Sequence, residues 1–167
     1  MARPNVGRRV HLAIIEPRYL ELILAGEKTV EARLSRTRRD PLGVVTPGER
    51  VYFKARGGAV GCCAAVERVD ELLDLTAPEI DRLRGIYNDR VLGTDEFWQA
   101  RSAARYAVFV HLRAPAAADA GPMIKPKPGD RRAWFAVPAA LDPKGLHPKG
   151  IDPDGLDPEA AGINSSG

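Results

Sequence analysis

Only two cysteines occur in the 167 residues, Cys62 and Cys63, and they are neighbours. Adjacent residues of a strand point to opposite faces, so the pair suits neither a structural disulfide nor a zinc site. Both read as small core or near-surface residues, and the sequence implies no metal and no cofactor. Long hydrophobic runs are missing too: none approaches the roughly 18 to 20 apolar residues of a membrane helix. The opening MARPNVGRR is basic, but the VHLAII behind it is too short for the apolar core of a signal peptide, so a cytoplasmic setting is expected. Histidine is scarce and uninformative. His11 and His111 fall in expected strands, where a satisfied core or edge role is the common one, and His147 lies in the tail.

What is present is ordinary for a soluble domain, with 44% hydrophobic and 28% charged residues. Splitting the chain would leave two marginal cores, so residues 1–140 read as one domain. The charge is unevenly placed. Residues 28–56 hold eight Lys or Arg against three Asp or Glu, a local +5 in a chain whose net charge is +3. A concentration of this kind is what contact with a polyanion needs. A basic loop that serves only solubility is the alternative.

Along the chain, Val10 to Ile15 reads as a strand and EPRYLELILAG as a helix with Pro17 in its first turn. Tyr19, Leu20, Ile23 and Leu24 share its face, and Gly26 takes the left-handed position past its end. From Thr29 the pattern alternates. Val30, Ala32 and Leu34 fall on one side and Thr29, Glu31, Arg33 and Ser35 on the other, a strand with one apolar and one polar face. SRTRRDPLGVV is a loop, and two antiparallel strands flank the Gly57-Gly58 turn. A Thr-capped helix with Ile80, Leu83 and Ile86 on one face follows, then a short helix bearing Phe97 and Trp98, then strands at RYAVFVHL and RAWFAVP. No alternating strand-helix series appears. The expected class is therefore α+β, a small β-barrel or curved, mostly antiparallel sheet with two or three flanking helices. Residues 141–167 run LDPKG LHPKG IDPDG LDPEA and beyond; proline at every fifth position predicts a flexible tail from about residue 142.

GEKTVEAR, with Gly26, Lys28, Glu31 and Arg33, fits the pattern G-x-K-x-x-E-x-R and resembles the signature of the ASCH domain family. The likeness continues through TPGERVYF and RYAVFVHL and covers roughly residues 9–113, with residues 134–137 as a closing strand. It implies a PUA-like pseudo-barrel with a cleft between the motif strand and the first helix. It also implies RNA, or a modified nucleotide, as the partner. Some relatives are expected to be RNA-processing hydrolases, either ribonucleases or amidohydrolases acting on N4-acetylcytidine. In the latter a threonine nucleophile stands where this chain has Glu31. Lys28 is kept but the nucleophile is absent, so that mechanism does not carry over. Thr29 lies two residues too early, and Asp89 cannot be aligned as the partner acid.

Glu31 and Arg33 share a strand face about 7 Å apart, with Lys28 at the strand's mouth. A carboxylate and a guanidinium side by side can read a base edge, and a lysine can hold a phosphate. In an enzyme Lys28 and Glu31 would be the acid and base. The alternative is a structural ion pair tying helix to strand. Arg36, Arg38 and Arg39 on the following loop would grip a nucleic-acid backbone. Tyr52, Tyr87, Trp98 and Tyr106 could stack on a base but suit a core equally. The expectation is an RNA- or nucleotide-binding domain using Lys28, Glu31, Arg33, Arg36, Arg38 and Arg39. A hydrolase and a module for a small anionic metabolite are the alternatives.

Overall fold

A computed structural model describes residues 8–143; the flexible tail expected from about residue 142 lies almost wholly outside this range. The elements follow in the expected order: β1 (Arg9–Ile15), α1 (Arg18–Leu24), β2 (Val30–Ser35), β3 (Arg50–Ala55), β4 (Val60–Leu72), α2 (Ala77–Val91), α3 (Asp95–Ala100), β5 (Tyr106–Ala117) and β6 (Trp134–Pro138). One six-stranded sheet, ordered β2-β5-β4-β3-β1-β6, curls into a half barrel. β1 and β3 pair in parallel and every other pair is antiparallel. The curl has a local cause. The long strands β4 and β5 shift register twice, between Cys63 and Ala65 and between Val66 and Arg68, and such irregularities bend a strand and raise its twist.

Three apolar clusters cover the sheet. Tyr19 and Ile23 of α1 pack on the inner face with Ile15, Phe53, Val66, Val110 and Trp134. On the other side of β2, Val30 and Ala32 meet α2 and α3 through Ile80, Tyr87 and Trp98. A third cluster, with Val10, Tyr52, Cys63 and Phe135, lies beneath the connection after β5. Cys62 and Cys63 do point to opposite faces, but both faces are covered, so neither thiol is near the surface. Burial pushes the Cys62 thiol up to about 12. Two helix faces differ from expectation. Leu24 and Ile86 are exposed, while Tyr87 and Val91 take the core side of α2. Ile80, Leu83, Tyr87 and Val91 recur at three- and four-residue steps, one helix face, which packs toward β2.

Both histidines among the described residues are satisfied as expected, His111 by Asp70 at 2.8 Å. His11 Nε2 donates to Glu49 at 2.7 Å while its Nδ1 accepts from the Trp134 indole N–H at 3.1 Å. A protonated ring would aim an N–H at the indole donor, so this arrangement holds the neutral form. Burial lowers the pKa of His11 and outweighs the attraction of Glu49. Trp134→Phe leaves Nδ1 buried without a donor and is expected to destabilise the domain by about 1–3 kcal/mol. Denaturant unfolding measures it.

Candidate functional site

Gly26, with φ at +73°, turns the chain out of α1 and brings Lys28 to the mouth of β2. There the ammonium group is almost wholly buried, at 2% exposure. Its Nζ donates to the carbonyls of Val30 at 2.8 Å and Val91 at 2.7 Å, and lies 3.3 Å from Glu31. The Tyr19 ring covers it at 4.6 Å. Glu31, itself 6% exposed, also receives Arg33 at 2.9 Å. Arg33 donates onward to the carbonyls of Ile14 at 3.0 Å and Ala133 at 3.2 Å, with its guanidinium over the Trp134 ring. Three charged residues thus tie together the end of α1, the end of α2, the end of β1 and the chain before β6.

The electrostatics follow from burial. Burial pushes the Glu31 carboxyl up, but the Lys28 and Arg33 charges outweigh it and the net shift is downward. For Lys28, burial wins over the attraction of Glu31 and the pKa falls. One polar atom is left over. Arg33 Nε is buried and has no hydrogen-bond partner, although a buried donor normally finds one.

Arg33 also forms part of a pocket of about 650 Å³ beyond the motif. Its walls come from the end of β2, the loop after it, the start of β5, the end of α3 and the chain before β6. Six arginines line it, Arg33, Arg38, Arg39, Arg101, Arg131 and Arg132, against one carboxylate residue, Asp40. Arg132 is held by Asp130 at 2.7 Å, and Arg39 Nη2 touches the Thr37 hydroxyl at 3.2 Å. Arg38 lies 5.1 Å from the Tyr106 ring centre. Arg101 donates to the Phe97 carbonyl at 2.9 Å, and its pKa is lowered by burial and then by the Arg33 charge. Arg131 has no polar partner among the described residues. Leu34, Val108 and Tyr106 give the same pocket an apolar side.

Of the residues singled out from the sequence, Lys28, Glu31 and Arg33 do form one cluster. Only Arg33, Arg38 and Arg39 reach the pocket wall. Lys28 and Glu31 are buried behind it, and exposed Arg36 is outside the lining. The cleft implied between the motif strand and α1 is instead filled by Tyr19 and Lys28, because the buried ammonium is enclosed by carbonyls and a ring. Among the aromatics, Tyr52, Tyr87 and Trp98 are core, and Tyr106 lines the pocket. Asp89 is exposed on α2 beside Arg90. Arg101, Arg131 and Arg132 were not legible as site residues. The Arg131-Arg132 doublet in GDRRAWF was the one available signal. Among the described residues no group of three or more His, Cys, Asp or Glu could hold a metal ion, and no helix is long and apolar enough to cross a membrane.

The sequence matches no family model and no curated protein. Solved structures do match. The ASCH protein of Zymomonas mobilis is 19% identical over 63% of this chain and 67% of its own, with a TM-score of 0.50. A tyrosine-to-phenylalanine variant of that protein is 20% identical over 64% and 70%, and a serine-to-alanine variant 18% over 65% and 70%, each with a TM-score of 0.51. The shared features are the curled, mostly antiparallel sheet and its flanking helices, and the chain therefore has the fold of an ASCH domain, a PUA-like small barrel.

Proposed function

We propose that this domain binds single-stranded RNA, or a modified nucleotide within it, in the arginine-lined pocket. The observation that carries the reading is the gathering of six arginines around one cavity with a single carboxylate among its lining residues. Like charges drawn together cost free energy unless an anion offsets them, and phosphate is the anion that guanidinium groups match in shape and charge. Arg33 supports the reading a second way, since its buried Nε is a donor in want of an acceptor. Phosphates would engage Arg38, Arg39 and Arg131 at the mouth, while a base would lie against Leu34, Val108 and the Tyr106 ring. Phosphate contact then positions the strand and the apolar wall accepts the base.

Lys28 and Glu31 act in this reading as the support of Arg33, a positioning role. The hydrolase alternative would need one of them at the ligand. Lys28 spends its hydrogens on two carbonyls and Glu31, which leaves it poorly placed to transfer a proton to a bound phosphate. A pocket of this size also suits a free nucleotide or another small anion. Titration of a fluorescently labelled single-stranded RNA, followed by anisotropy at low and at physiological salt, is expected to show binding that weakens steeply as salt rises. No binding at low salt overturns the RNA reading. Equal competition by a mononucleotide and by an oligonucleotide of the same base assigns the pocket to the small ligand instead.

A further inference from the structure

The six arginines of the pocket differ in depth. Arg38, Arg39, Arg131 and Arg132 are exposed, whereas Arg33 and Arg101 are half buried. Carboxylates are divided unevenly between the two groups. Asp130 and Asp40 both act on Arg132 at the exposed side. On the buried side Glu31 stands alone among three cations, paired with Lys28 and Arg33 and felt by Arg101. Two positive charges are therefore left over where the pocket is deepest.

Arg101 is the better placed of the inner pair to meet a ligand. Its guanidinium lies 3.8 Å from the centre of the Phe97 ring, and Nη1 donates to the Phe97 carbonyl at 2.9 Å. Stacking and that one bond fix the plane of the group, while Nε and Nη2 have no partner among the described residues and neither is buried. These two nitrogens form an edge of the fork that meets two oxygens of a phosphate side by side. Arg33 spends both terminal nitrogens on carbonyls and Glu31, so its share is charge from behind. The surplus charge decides which phosphate fits. A diester within a strand carries a single negative charge, whereas a monoester at a strand end carries about 1.5 to 2 near pH 7. A diester must also send chain out of the pocket in two directions, a monoester in only one.

Resting on the RNA reading above, we propose that Arg101, backed by Arg33, forms a subsite for a terminal phosphomonoester, so that the domain holds RNA by a phosphorylated end. The nucleotide at that end lies against Tyr106, Leu34 and Val108, and the rest of the strand leaves over Arg38, Arg39 and Arg131. The exposed arginines then hold any strand, and the inner pair selects the end.

Competition against a fluorescently labelled RNA with hydroxyl ends, at low salt, tests this on the wild-type chain. Three unlabelled oligonucleotides of one sequence serve as competitors, with hydroxyls at both ends, with a 5′-phosphate, or with a 3′-phosphate. At least one phosphorylated form is expected to compete about tenfold better than the hydroxyl form, the scale of a hydrogen-bonded charge pair, and which form does so assigns the polarity of the strand. In Arg101→Gln that preference is expected to shrink to about twofold or less, because a gain from added charge alone does not depend on one arginine. Equal competition by all three oligonucleotides in the wild type overturns the end subsite and leaves RNA binding standing. Failure of the labelled RNA to bind at all overturns both. A preference retained in full by Arg101→Gln overturns the assignment to Arg101, and the wild-type comparison needs no variant to fold.

Discussion

Glu31→Gln is expected to remove about 3–5 kcal/mol of folding stability, the cost of leaving buried charge without its counter-charge. Glutamine keeps the shape of the side chain but not the carboxylate between Lys28 and Arg33. Lys28 would then face Arg33 with two carbonyls and the Tyr19 ring but no counter-charge to hold it. A domain is stable by about 5–15 kcal/mol in all, so the loss is a large fraction and lowers the melting temperature by on the order of 10 °C. Adding Lys28→Met removes the stranded cation, and the double variant is expected to be more stable than Glu31→Gln alone. A Glu31→Gln change of under about 1 kcal/mol would show the network to be far better hydrated than its burial implies.

The same residue sets a pH dependence with a definite sign. The folded-state pKa of Glu31 lies below its ordinary 4.5, so the unfolded chain takes up the proton first as pH falls. The contribution is complete above about 4.5 and is lost as pH drops below that toward the folded value. Lys28 has the same sign in a more alkaline window: its folded pKa is lowered too, so its burial cost is relieved only as pH rises toward the ordinary 10.5. Glu49 and Asp70 are also held low and share the acid window. The difference between wild type and Glu31→Gln isolates the one group. Stability of the variant should fall less steeply below pH 4.5, and parallel curves would contradict the assignment.

What could be read from the sequence was what local chemistry decides. Gly26 ends α1 and Gly57 closes the β3–β4 hairpin because left-handed backbone is required there. Alternation placed Glu31 and Arg33 on one strand face and Val30 and Ala32 on the other. Whether that polar face meets water depends on partners far along the chain. The carbonyl of Val91 is 63 residues from Lys28, and that of Ala133 is 100 from Arg33. Nothing local in either segment says that its carbonyl awaits a cation. The pocket was hidden for the same reason, since Arg101 and the Arg131-Arg132 pair reach it from two further connections of the sheet. The Arg38 and Arg39 half was visible because it adjoins the motif. Lys28 and Glu31 carried two possible meanings, ligand contact or ion pair, and only burial distinguishes between them.

Replacing Arg38, Arg39 and Arg131 together by alanine is expected to weaken binding of single-stranded RNA at low salt on the order of 10- to 100-fold. Each phosphate neutralised on a single strand contributes about 0.7 to the slope of log affinity against log salt, so the slope should flatten by about 2. The three side chains are exposed, and none carries a buried hydrogen bond, so the melting temperature should stay where it was. Arg33 is left in place because it also holds the fold together through Ile14 and Ala133. A matched control changes Arg56, Arg82 and Arg113, exposed arginines outside the pocket lining, and so removes the same charge from elsewhere. If binding depends on the pocket, the control retains most of its affinity when the two variants are compared at physiological salt, where screening confines attraction to within about 8 Å. Equal losses in both variants would mean that RNA feels only the net charge, and that the arginines around the cavity await a smaller anion.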